Sequence, residues 1–458
     1  MSDQGLHAAT TKMEQAGVAS AAIDAFAYYY GQLAAGATGL IAEESIAPLV
    51  DPPALEDVEV DEDAARAALA RTVVVKLNGG LGTSMGLDRA KTLLPVRDGR
   101  TFLDLIVEQV QHARSQWGVT LPLVFMDSFR TQTDTLAALA GHPGIEVDGL
   151  PLDFLQSQEP KLLADGLTPV TWPADPSLEW CPPGHGDLYA SLLSSGVLEA
   201  LVDAGYRYAS VSNADNLGAS PDGRLAAWFA ASGAPFAMEV CRRTAADRKG
   251  GHLAVRRDDG RLVLREVAQT ADSDRAAFAD ETRHAWFNTN SIWLDLQALR
   301  DALADHGSVL GLPLIRNVKT VDPADTTSPQ VIQVETAMGA AIEVFEGATA
   351  IAVGRERFLP VKTTNDLLLL RSDAYDVGPD AVPRLAVAAA PLIDLDSRYY
   401  RTIADFEARF PHGVPSLRDA TGLAVHGDWT FGPDVSVRGS ATLSGDGAAE
   451  VPAGAVLS

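Results

Sequence analysis

A buried strand that runs into a glycine-rich loop is the most informative stretch of this sequence. Residues 72–77 (TVVVKL) are mostly β-branched and apolar, and residues 78–86 (NGGLGTSMG) contain four glycines. This pattern predicts a strand followed by a tight loop. Glycines let a backbone approach a polyphosphate closely and point several N–H groups at it. A purely structural turn is the alternative, which so many glycines after a strand make less favoured.

Spacing excludes two familiar phosphate-binding loops. A Walker A loop requires Gly-x4-Gly-Lys-Ser/Thr, and a dinucleotide-binding loop requires Gly-x-Gly-x-x-Gly. Counted from Gly80, both patterns need a glycine at position 85, where this chain has Met85. A different glycine-rich loop, with Lys91 shortly downstream, therefore remains.

The residues around this loop alternate between strand and helix patterns. A helix start of the Thr-x-x-Asp kind occurs at Thr101, and residues 121–126 form another apolar run. Strand, helix and strand within about 55 residues predict a βαβ unit and a mainly parallel sheet covered by helices. Residues 208–212 predict a further strand. Because ligands bind beyond the carboxyl ends of such strands, the turns beginning at Asn78 and Asn213 are expected at one edge of the sheet.

Three segments differ in pattern. Residues 1–65 predict a helical N-terminal extension that includes an acidic, proline-containing linker at 51–63. Residues 66–378 predict the large α/β domain. Residues 379–458 alternate apolar side chains with regularly spaced glycines, which predicts a β-solenoid or small β-sheet module. Since solenoid ends are natural docking surfaces, this module is also a candidate site of self-association into a homo-oligomer.

Charge and cysteine content restrict the partners. Lys and Arg total 36 and Asp and Glu total 61, for a net charge of −25. This charge excludes sequence-independent nucleic-acid binding and a cationic membrane-surface helix, but a few lysines focused in a cleft can still bind a small anion. Two cysteines without metal-ligand spacing, and a start without a signal-peptide pattern, predict a cytoplasmic protein. No apolar run approaches the roughly 20 residues that span a bilayer, so no membrane segment is expected.

Ordered motifs along the chain resemble those of one known family. The motifs are residues 77–83 (LNGGLGT) with Lys91, 154–161 (FLQSQEPK), 182–187 (PPGHGD), 213–219 (NADNLGA), 249–251 (KGG), 287–290 (FNTN), 335–341 (ETAMGAA) and 358–368 (FLPVKTTNDLL). Together they closely resemble the eukaryotic-type UTP–glucose-1-phosphate uridylyltransferases, also called UDP-glucose pyrophosphorylases. The sequence departs from the family's usual motifs at two places, residues 89–92 (RAKT) and residues 158–161 (QEPK).

The resemblance implies a fold and a reaction. The fold is a Rossmann-like, GT-A-like nucleotidyltransferase domain with a mixed, mainly parallel sheet, followed by a left-handed β-helix-like module. The reaction joins glucose 1-phosphate to UTP, forms UDP-glucose and pyrophosphate, and depends on Mg²⁺. Its nucleophile is a phosphate oxygen that is already anionic, so neither a general base nor a covalent enzyme intermediate is required. The chemical demand is for lysines, backbone N–H groups and Mg²⁺ around the phosphates.

The resemblance also implies roles for individual residues. The nucleotide-binding residues are Leu77, Asn78, Gly79, Gly80, Lys91, Gln156, Gly184, Asn213 and Lys362. The residues that contact the sugar phosphate are His185, Asn213, Ala214, Asp215, Asn288 and Asn290, with Glu266 and Lys249 as weaker candidates. Lys362 and Lys91 are the catalytic residues, and Asp215 is the Mg²⁺ ligand. From the residues alone, a helix cap at Asp215 and a snorkelling side chain at Lys362 are the structural alternatives.

Two alternatives to this function stay open at the level of sequence. The first is the same chemistry on galactose 1-phosphate or an N-acetylhexosamine 1-phosphate. Relatives that use acetamido sugars typically carry Ala-Gly-Gly-Gln-Gly-Thr, whereas residues 78–83 read NGGLGT, which favours glucose. The second is a non-catalytic nucleotide-binding relative, against which the joint presence of Lys91, Asp215 and Lys362 argues.

Overall fold

The computed structural model describes residues 2–244, 247 and 250–458. Helices in these residues are α1 (Ser2–Gln15), α2 (Ser20–Ala34), α3 (Glu62–Leu69), α4 (Phe102–Trp117), α5 (Gln132–Leu139), α6 (Leu188–Ser194), α7 (Val197–Asp203), α8 (Gly223–Ser232), α9 (Arg275–Phe278), α10 (Leu296–Asp305), α11 (Thr364–Arg371), α12 (Ser397–Tyr400) and α13 (Ile403–Arg409). Strands are β1 (Ile46–Pro48), β2 (Thr72–Asn78), β3 (Pro95–Arg97), β4 (Arg100–Thr101), β5 (Leu123–Asp127), β6 (Asp153–Leu155), β7 (Glu159–Pro160), β8 (Leu162–Leu163), β9 (Trp180–Cys181), β10 (Tyr208–Asn213), β11 (Phe236–Arg242), β12 (His252–Arg256), β13 (Leu262–Arg265), β14 (Trp286–Asp295), β15 (Ile315–Thr320), β16 (Gln330–Glu335), β17 (Thr349–Ala352), β18 (Tyr375–Val377), β19 (Pro383–Leu385), β20 (Leu392–Leu395), β21 (Ser416–His426), β22 (Trp429–Phe431), β23 (Ser436–Ser444), β24 (Ala449–Val451) and β25 (Val456–Leu457).

A mixed sheet forms the centre of the molecule. Its main run has the order β6-β5-β2-β10-β14-β11-β17, and β14 alone in that run, as far as the chain is described, is antiparallel to its neighbours. Strands β12, β13 and β1 extend the sheet from one end of β14. The predicted mixed α/β fold with a mainly parallel sheet is therefore confirmed, including the βαβ unit of β2, α4 and β5.

Strand β2 is buried on both faces, which explains its nearly continuous apolar sequence. Val74 packs into a core that contains Phe102 of α4, whereas Val73 and Val75 pack into a second core with Phe26 of α2. Helix α4 begins at the expected capping box, since the Thr101 and Asp104 side chains each accept the other's backbone N–H. The sheet is thus packed between a core that includes α4 and a core that includes α2, and the loop after β2 begins at a well-buried strand.

The N-terminal extension contains more helix than the sequence predicted. Helix α3 begins at Glu62, inside the predicted linker, and crosses the predicted boundary at residue 65. Asp61 caps it by accepting N–H groups, and its buried face, which includes Ala65, packs against α8. The acidic sequence around Asp61 supports a helix start because carboxylates are favoured at helix N-termini.

Parallel strands also occupy the C-terminal segment. Strands β20, β21, β23 and β25 form one parallel sheet, and β22 pairs in parallel with β24. Trp429 pairs with Ala449 and Ser436 with Val456, an offset of twenty residues, whereas Leu423 pairs with Ala441 at eighteen and Leu392 with Gly422 at thirty. The hairpin of β18 and β19 straddles residue 378, the predicted end of the preceding domain. None of the helices in the described residues combines the length and apolar character needed to cross a membrane.

Candidate active site

The loops that follow β2 and β10 meet at one edge of the sheet. The strands are parallel, and Asn213 lies beside Leu77 in their register. A cleft of about 310 Å³ opens at this edge. It is lined by Leu77, Asn78, Gly79, Gly80, Lys91, Thr92, Gln156, Pro182, Gly184, His185, Asn213, Ala214 and Asp215. Residues from four distant sequence motifs therefore share one cavity, at the position that the parallel strands predict.

The Asn78 side chain is fully used within the protein. Its amide nitrogen donates to Asp127 Oδ1 at 2.8 Å and to Thr135 Oγ1 at 2.9 Å, and its oxygen accepts from Thr92 Oγ1 at 2.9 Å. Burial raises the pKa of Asp127 to about 6, although these hydroxyl and amide donors oppose the shift. Because both amide hydrogens are donated and the side chain is buried, Asn78 faces a ligand with its backbone.

The Gln156 amide lies directly against the glycine loop. A Cβ added to Gly79 would lie 2.2 Å from Gln156 Oε1, so only glycine permits this approach. By contrast, a Cβ at Gly80 would meet no atom within 4 Å. The amide and the start of the loop therefore form one continuous wall of the cleft.

A distant segment holds the loop that contains Gly184. Gly184 has a φ of 80°, and a Cβ there would lie 2.5 Å from Thr336 O. Thr336 N donates to Pro183 O and Thr336 O accepts from Gly186 N, each at 2.9 Å. The loop and residue 336 are thus paired like two short strands, which fixes the backbone of Gly184 at the cleft.

His185 has a defined tautomer in this setting. The Met338 backbone N–H donates to His185 Nδ1 at 2.9 Å, and the Met338 carbonyl accepts from Tyr189 Oη at 2.6 Å. Burial lowers the pKa of His185 to about 4, so the ring is neutral near pH 7. Since Nδ1 accepts a hydrogen bond, Nε2 carries the proton and acts as a donor.

Lys91 and Asp215 form an ion pair inside the cleft. Lys91 Nζ lies 2.6 Å from Asp215 Oδ2 and also donates to the carbonyl of Val361. The Val361 N–H donates to the Asp215 carbonyl at 3.3 Å. These contacts join the loop after β2, the loop after β10 and the segment that carries Lys362.

The second oxygen of Asp215 fits a Mg²⁺ ligand. Asp215 Oδ1 is buried, and no hydrogen-bond partner for it occurs among the described residues. Within the same part of the chain, no group of three or more His, Cys, Asp or Glu is arranged to hold a metal ion. Mg²⁺ characteristically uses one or two carboxylates together with substrate phosphates and water, so a single orphaned carboxylate oxygen is sufficient.

A second polar cluster joins two asparagines of β14 to Glu266, which directly follows β13. Asn288 Nδ2 donates to Asn290 Oδ1 at 3.0 Å and approaches Glu266 Oε1 at 3.4 Å. Asn290 adopts a left-handed φ of 55°. Burial raises the pKa of the Glu266 carboxyl, while the Asn288 amide and the positive charge of Lys362 oppose that shift. The β10–β14 pairing ends with Ser212 beside Ser291, the residue after Asn290, so this cluster lies near the end of β10 that leads into Asn213.

Most of the residues predicted from sequence line the cleft, whereas Asn288, Asn290, Glu266 and Lys362 are not among its lining residues. Lys362 is exposed, with Nζ 5.9 Å from the centre of the Phe358 ring, and among the described residues it makes no ion pair. Lys249 lies outside the described residues. The residues that the sequence did not reveal are those that support the site: Thr92, Asp127, Thr135, Tyr189, Thr336 and Met338. Two signals were available: the strand end at Asp127 falls at the same edge as Asn78, and Thr336 and Met338 lie in the motif at 335–341.

A glycine-rich loop, two lysines and a carboxylate at the carboxyl edge of this mixed sheet define a nucleotidyltransferase. The family model for UTP–glucose-1-phosphate uridylyltransferase matches residues 23–438. The chain belongs to this family.

Similar proteins come from several eukaryotes. UTP–glucose-1-phosphate uridylyltransferase from Hordeum vulgare is 39% identical over 405 residues, which cover 87% of this chain and 82% of that protein. The Saccharomyces cerevisiae protein of the same name is 39% identical over 394 residues, or 85% and 77% of the two chains. A variant of UDP-glucose pyrophosphorylase from Leishmania major, solved in complex with UDP-glucose, is 43% identical with a TM-score of 0.92, covering 99% of this chain and 98% of that one. A Trypanosoma brucei structure gives 44% and 0.91 at the same coverage.

Proposed function

We propose that the protein is a UTP:glucose-1-phosphate uridylyltransferase. The observation that carries the proposal is the convergence of the glycine loop, Gln156, His185 and the Lys91–Asp215 pair in one cleft. A relative solved with UDP-glucose over nearly the whole chain supports the same substrates. The names of the relatives favour glucose over other sugars and do not favour a non-catalytic role.

The reaction needs positioning more than it needs acid–base chemistry. An oxygen of the sugar phosphate attacks the α-phosphorus of UTP, and the bond from that phosphorus to the bridging oxygen breaks. The bonding electrons leave with pyrophosphate. Since the attacking oxygen is already anionic, the enzyme has to hold two polyanions together and stabilise the charge that develops.

The residues of the cleft divide this work. Backbone N–H groups of the glycine loop face the phosphates, and the Gln156 amide and the Gly184 backbone read the uracil edge. His185 donates from Nε2 to the sugar phosphate, because its Nδ1 is occupied by Met338 N–H. Lys362, which has no competing ion pair in the described chain, contributes positive charge at the reacting phosphates. Leu77, Ala214 and Asn213 shape the walls, and Asn288 and Asn290 face the sugar hydroxyls.

Asp215 would hold Mg²⁺ through Oδ1, with phosphate oxygens and water completing the coordination. Bound Mg²⁺ neutralises charge on the phosphate oxygens and orients the leaving group. Lys91 already occupies Oδ2, so the carboxylate is held in one orientation before substrate binds.

Three further features are part of the proposal. The stacked parallel strands of the C-terminal segment support a β-helix-like module, for which the left-handed form is proposed from the family resemblance, and its open end is the proposed site of a homo-oligomer. The unpaired, buried Cys181 and Cys241 support a reducing, cytoplasmic location. The small-molecule partners are UTP and glucose 1-phosphate, and the net charge of −25 opposes nucleic acid and membrane surfaces.

One assay tests the proposed function. Purified protein is incubated with UTP, Mg²⁺ and, separately, glucose, galactose and N-acetylglucosamine 1-phosphates, and pyrophosphate release is recorded. The highest kcat/KM is expected with glucose 1-phosphate. A higher value with another sugar would transfer the assignment to that sugar, and no release with any sugar would contradict catalysis. A mock preparation from cells that do not express the protein serves as the control for contaminating activity.

A further inference from the structure

The carboxylate of Asp187 connects the two loops that flank the uracil side of the cleft. Ser157 N–H donates to Asp187 Oδ2 at 2.6 Å, and Ser191 Oγ donates to the same oxygen at 2.7 Å. Asp187 is only 6% exposed, and Ser191 is fully buried. Asp187 does not line the cleft, so it acts on a ligand only through the residues it holds.

Gln156 is fixed from both sides by this arrangement. Its own N–H donates to the Asp127 carbonyl at 2.7 Å, and the next N–H along the chain is the one that Asp187 accepts. Asp187 also closes the turn that starts at Gly184, since Asp187 N donates to Gly184 O at 3.3 Å. The separation between the Gln156 backbone and Gly184 is therefore set through one carboxylate.

Base discrimination depends on that separation. A carboxamide carries both a donor and an acceptor, and a half-turn of the amide exchanges them. A mobile glutamine amide therefore pairs as well with the edge of cytosine as with the edge of uracil. Selectivity requires a second partner whose donor and acceptor cannot exchange, and the backbone at Gly184, held by Thr336, is such a partner. A site with fixed polar partners rejects a mismatched edge because a buried polar group is then left unpaired.

We infer that Asp187 is a positioning residue that determines base selectivity, by holding Gln156 and Ser157 at a fixed distance from Gly184. The inference rests on the proposed function for the identity of the base. The essential property of Asp187 is a hydrogen-bond acceptor at the Oδ2 position. The isosteric Asp187→Asn variant keeps an acceptor there, whereas Asp187→Ala removes it.

The test compares kcat/KM for UTP and for CTP, with glucose 1-phosphate as the second substrate. In Asp187→Ala we expect the UTP:CTP ratio to fall by about tenfold or more and KM for UTP to rise, while KM for glucose 1-phosphate changes by less than about twofold. Asp187→Asn is expected to keep most of the wild-type ratio. Ser191→Ala removes the other donor to Oδ2 and is expected to leave the ratio unchanged.

General destabilisation is controlled by Val437→Ala, a truncation of a buried residue on β23 in the C-terminal segment. An unchanged UTP:CTP ratio in Asp187→Ala, or an equal loss of selectivity in Val437→Ala, would overturn the inference. If Asp187→Ala does not fold, Asp187→Ser, whose hydroxyl is too short to reach Ser157 N, carries the same expectation.

Calorimetric binding of UTP and CTP, without sugar phosphate, separates this inference from the proposed function. A wild-type protein that binds UTP more tightly than CTP but releases no pyrophosphate would contradict the proposed function alone. The effect of Asp187→Ala on the ratio of the two dissociation constants then still decides the inference. A wild-type protein that binds neither nucleotide would overturn both.

Discussion

Lys362 provides the most direct test of the proposed chemistry, because its side chain makes few interactions within the protein. It is exposed and forms no ion pair within the described residues; its Nζ lies 5.9 Å from the centre of the Phe358 ring, and its charge favours the ionised form of Glu266. An exposed cation–π contact contributes about 0.5 kcal/mol. Lys362→Met should therefore change the free energy of unfolding by less than about 1 kcal/mol.

The expected loss of activity is much larger. An ammonium about 4 Å from a phosphate charge gains roughly 4 kcal/mol at an effective dielectric of 20. If that interaction strengthens as charge develops on the phosphates, its removal lowers kcat by about 10²–10³-fold. Lys362→Arg keeps the charge in a different shape and should recover part of the rate.

Pyrophosphate release at saturating UTP and glucose 1-phosphate gives kcat, and urea titration of the same preparations gives the free energy of unfolding. The exposed Lys319, which does not line the cleft, provides the matched control Lys319→Met. A kcat for Lys362→Met within about threefold of wild type would remove Lys362 from the transition state. An activity loss that matched a comparable loss of folding stability would make its role structural instead.

Three other changes have defined outcomes. Asp215→Asn should raise the free Mg²⁺ concentration for half-maximal activity by about 10–100-fold, and an unchanged titration would assign the metal elsewhere. Gly79→Ala should raise KM for UTP because the new Cβ displaces the Gln156 amide. In the Gln156→Ala background, Gly79→Ala should therefore raise KM for UTP little further. If the effects of the two substitutions on KM were fully additive, Gly79→Ala would not act through Gln156. His185 should stay neutral from about pH 6 to 8, so any step in kcat/KM for glucose 1-phosphate in this range should come from the substrate phosphates, whose second pKa is about 6, and should keep its midpoint in His185→Gln. As pH falls, the imidazole of His185 is protonated in the unfolded chain near pH 6.5 but in the folded protein only near pH 4. Between these values the free energy of unfolding should therefore fall by up to about 3 kcal/mol. Urea titrations of His185→Gln should lack this loss.

The sequence predicted the framework of the site because that framework depends on short-range patterns. The strand before Asn78 is recognisable from its apolar run, and the capping box at Thr101 marks the start of α4. Parallel strands then require the loops at Asn78 and Asn213 to meet at one edge, as the register of β2 and β10 shows. Neither step needs information about distant side chains.

Side-chain partners across the fold were not predictable in the same way. The acceptor role of His185 Nδ1 depends on Met338, which is 153 residues away along the chain. The saturation of Asn78 depends on Asp127 and Thr135, which arrive from the next βα unit. The sequence did not predict helix α3, because its acidic first turn has the composition of a linker. Its packing against α8, which stabilises the helix, is not visible in the local sequence.

The Lys91–Asp215 ion pair should couple the binding of nucleotide to the binding of Mg²⁺. A protein of net charge −25 has to attract UTP with local positive potential, yet Lys91 forms an ion pair with Asp215. The Lys91 side chain is 15% exposed and that of Asp215 is 23% exposed. An unpaired charge on so buried a lysine would destabilise the fold, and the Asp215 carboxylate compensates it until a phosphate takes the place of the carboxylate. A phosphate that takes over Lys91 frees Asp215 Oδ2 beside the already orphaned Oδ1, and the full carboxylate then becomes available to a cation. Nucleotide and Mg²⁺ should therefore each increase the affinity for the other, and Lys91→Met should weaken that coupling because Asp215 is then free in both states.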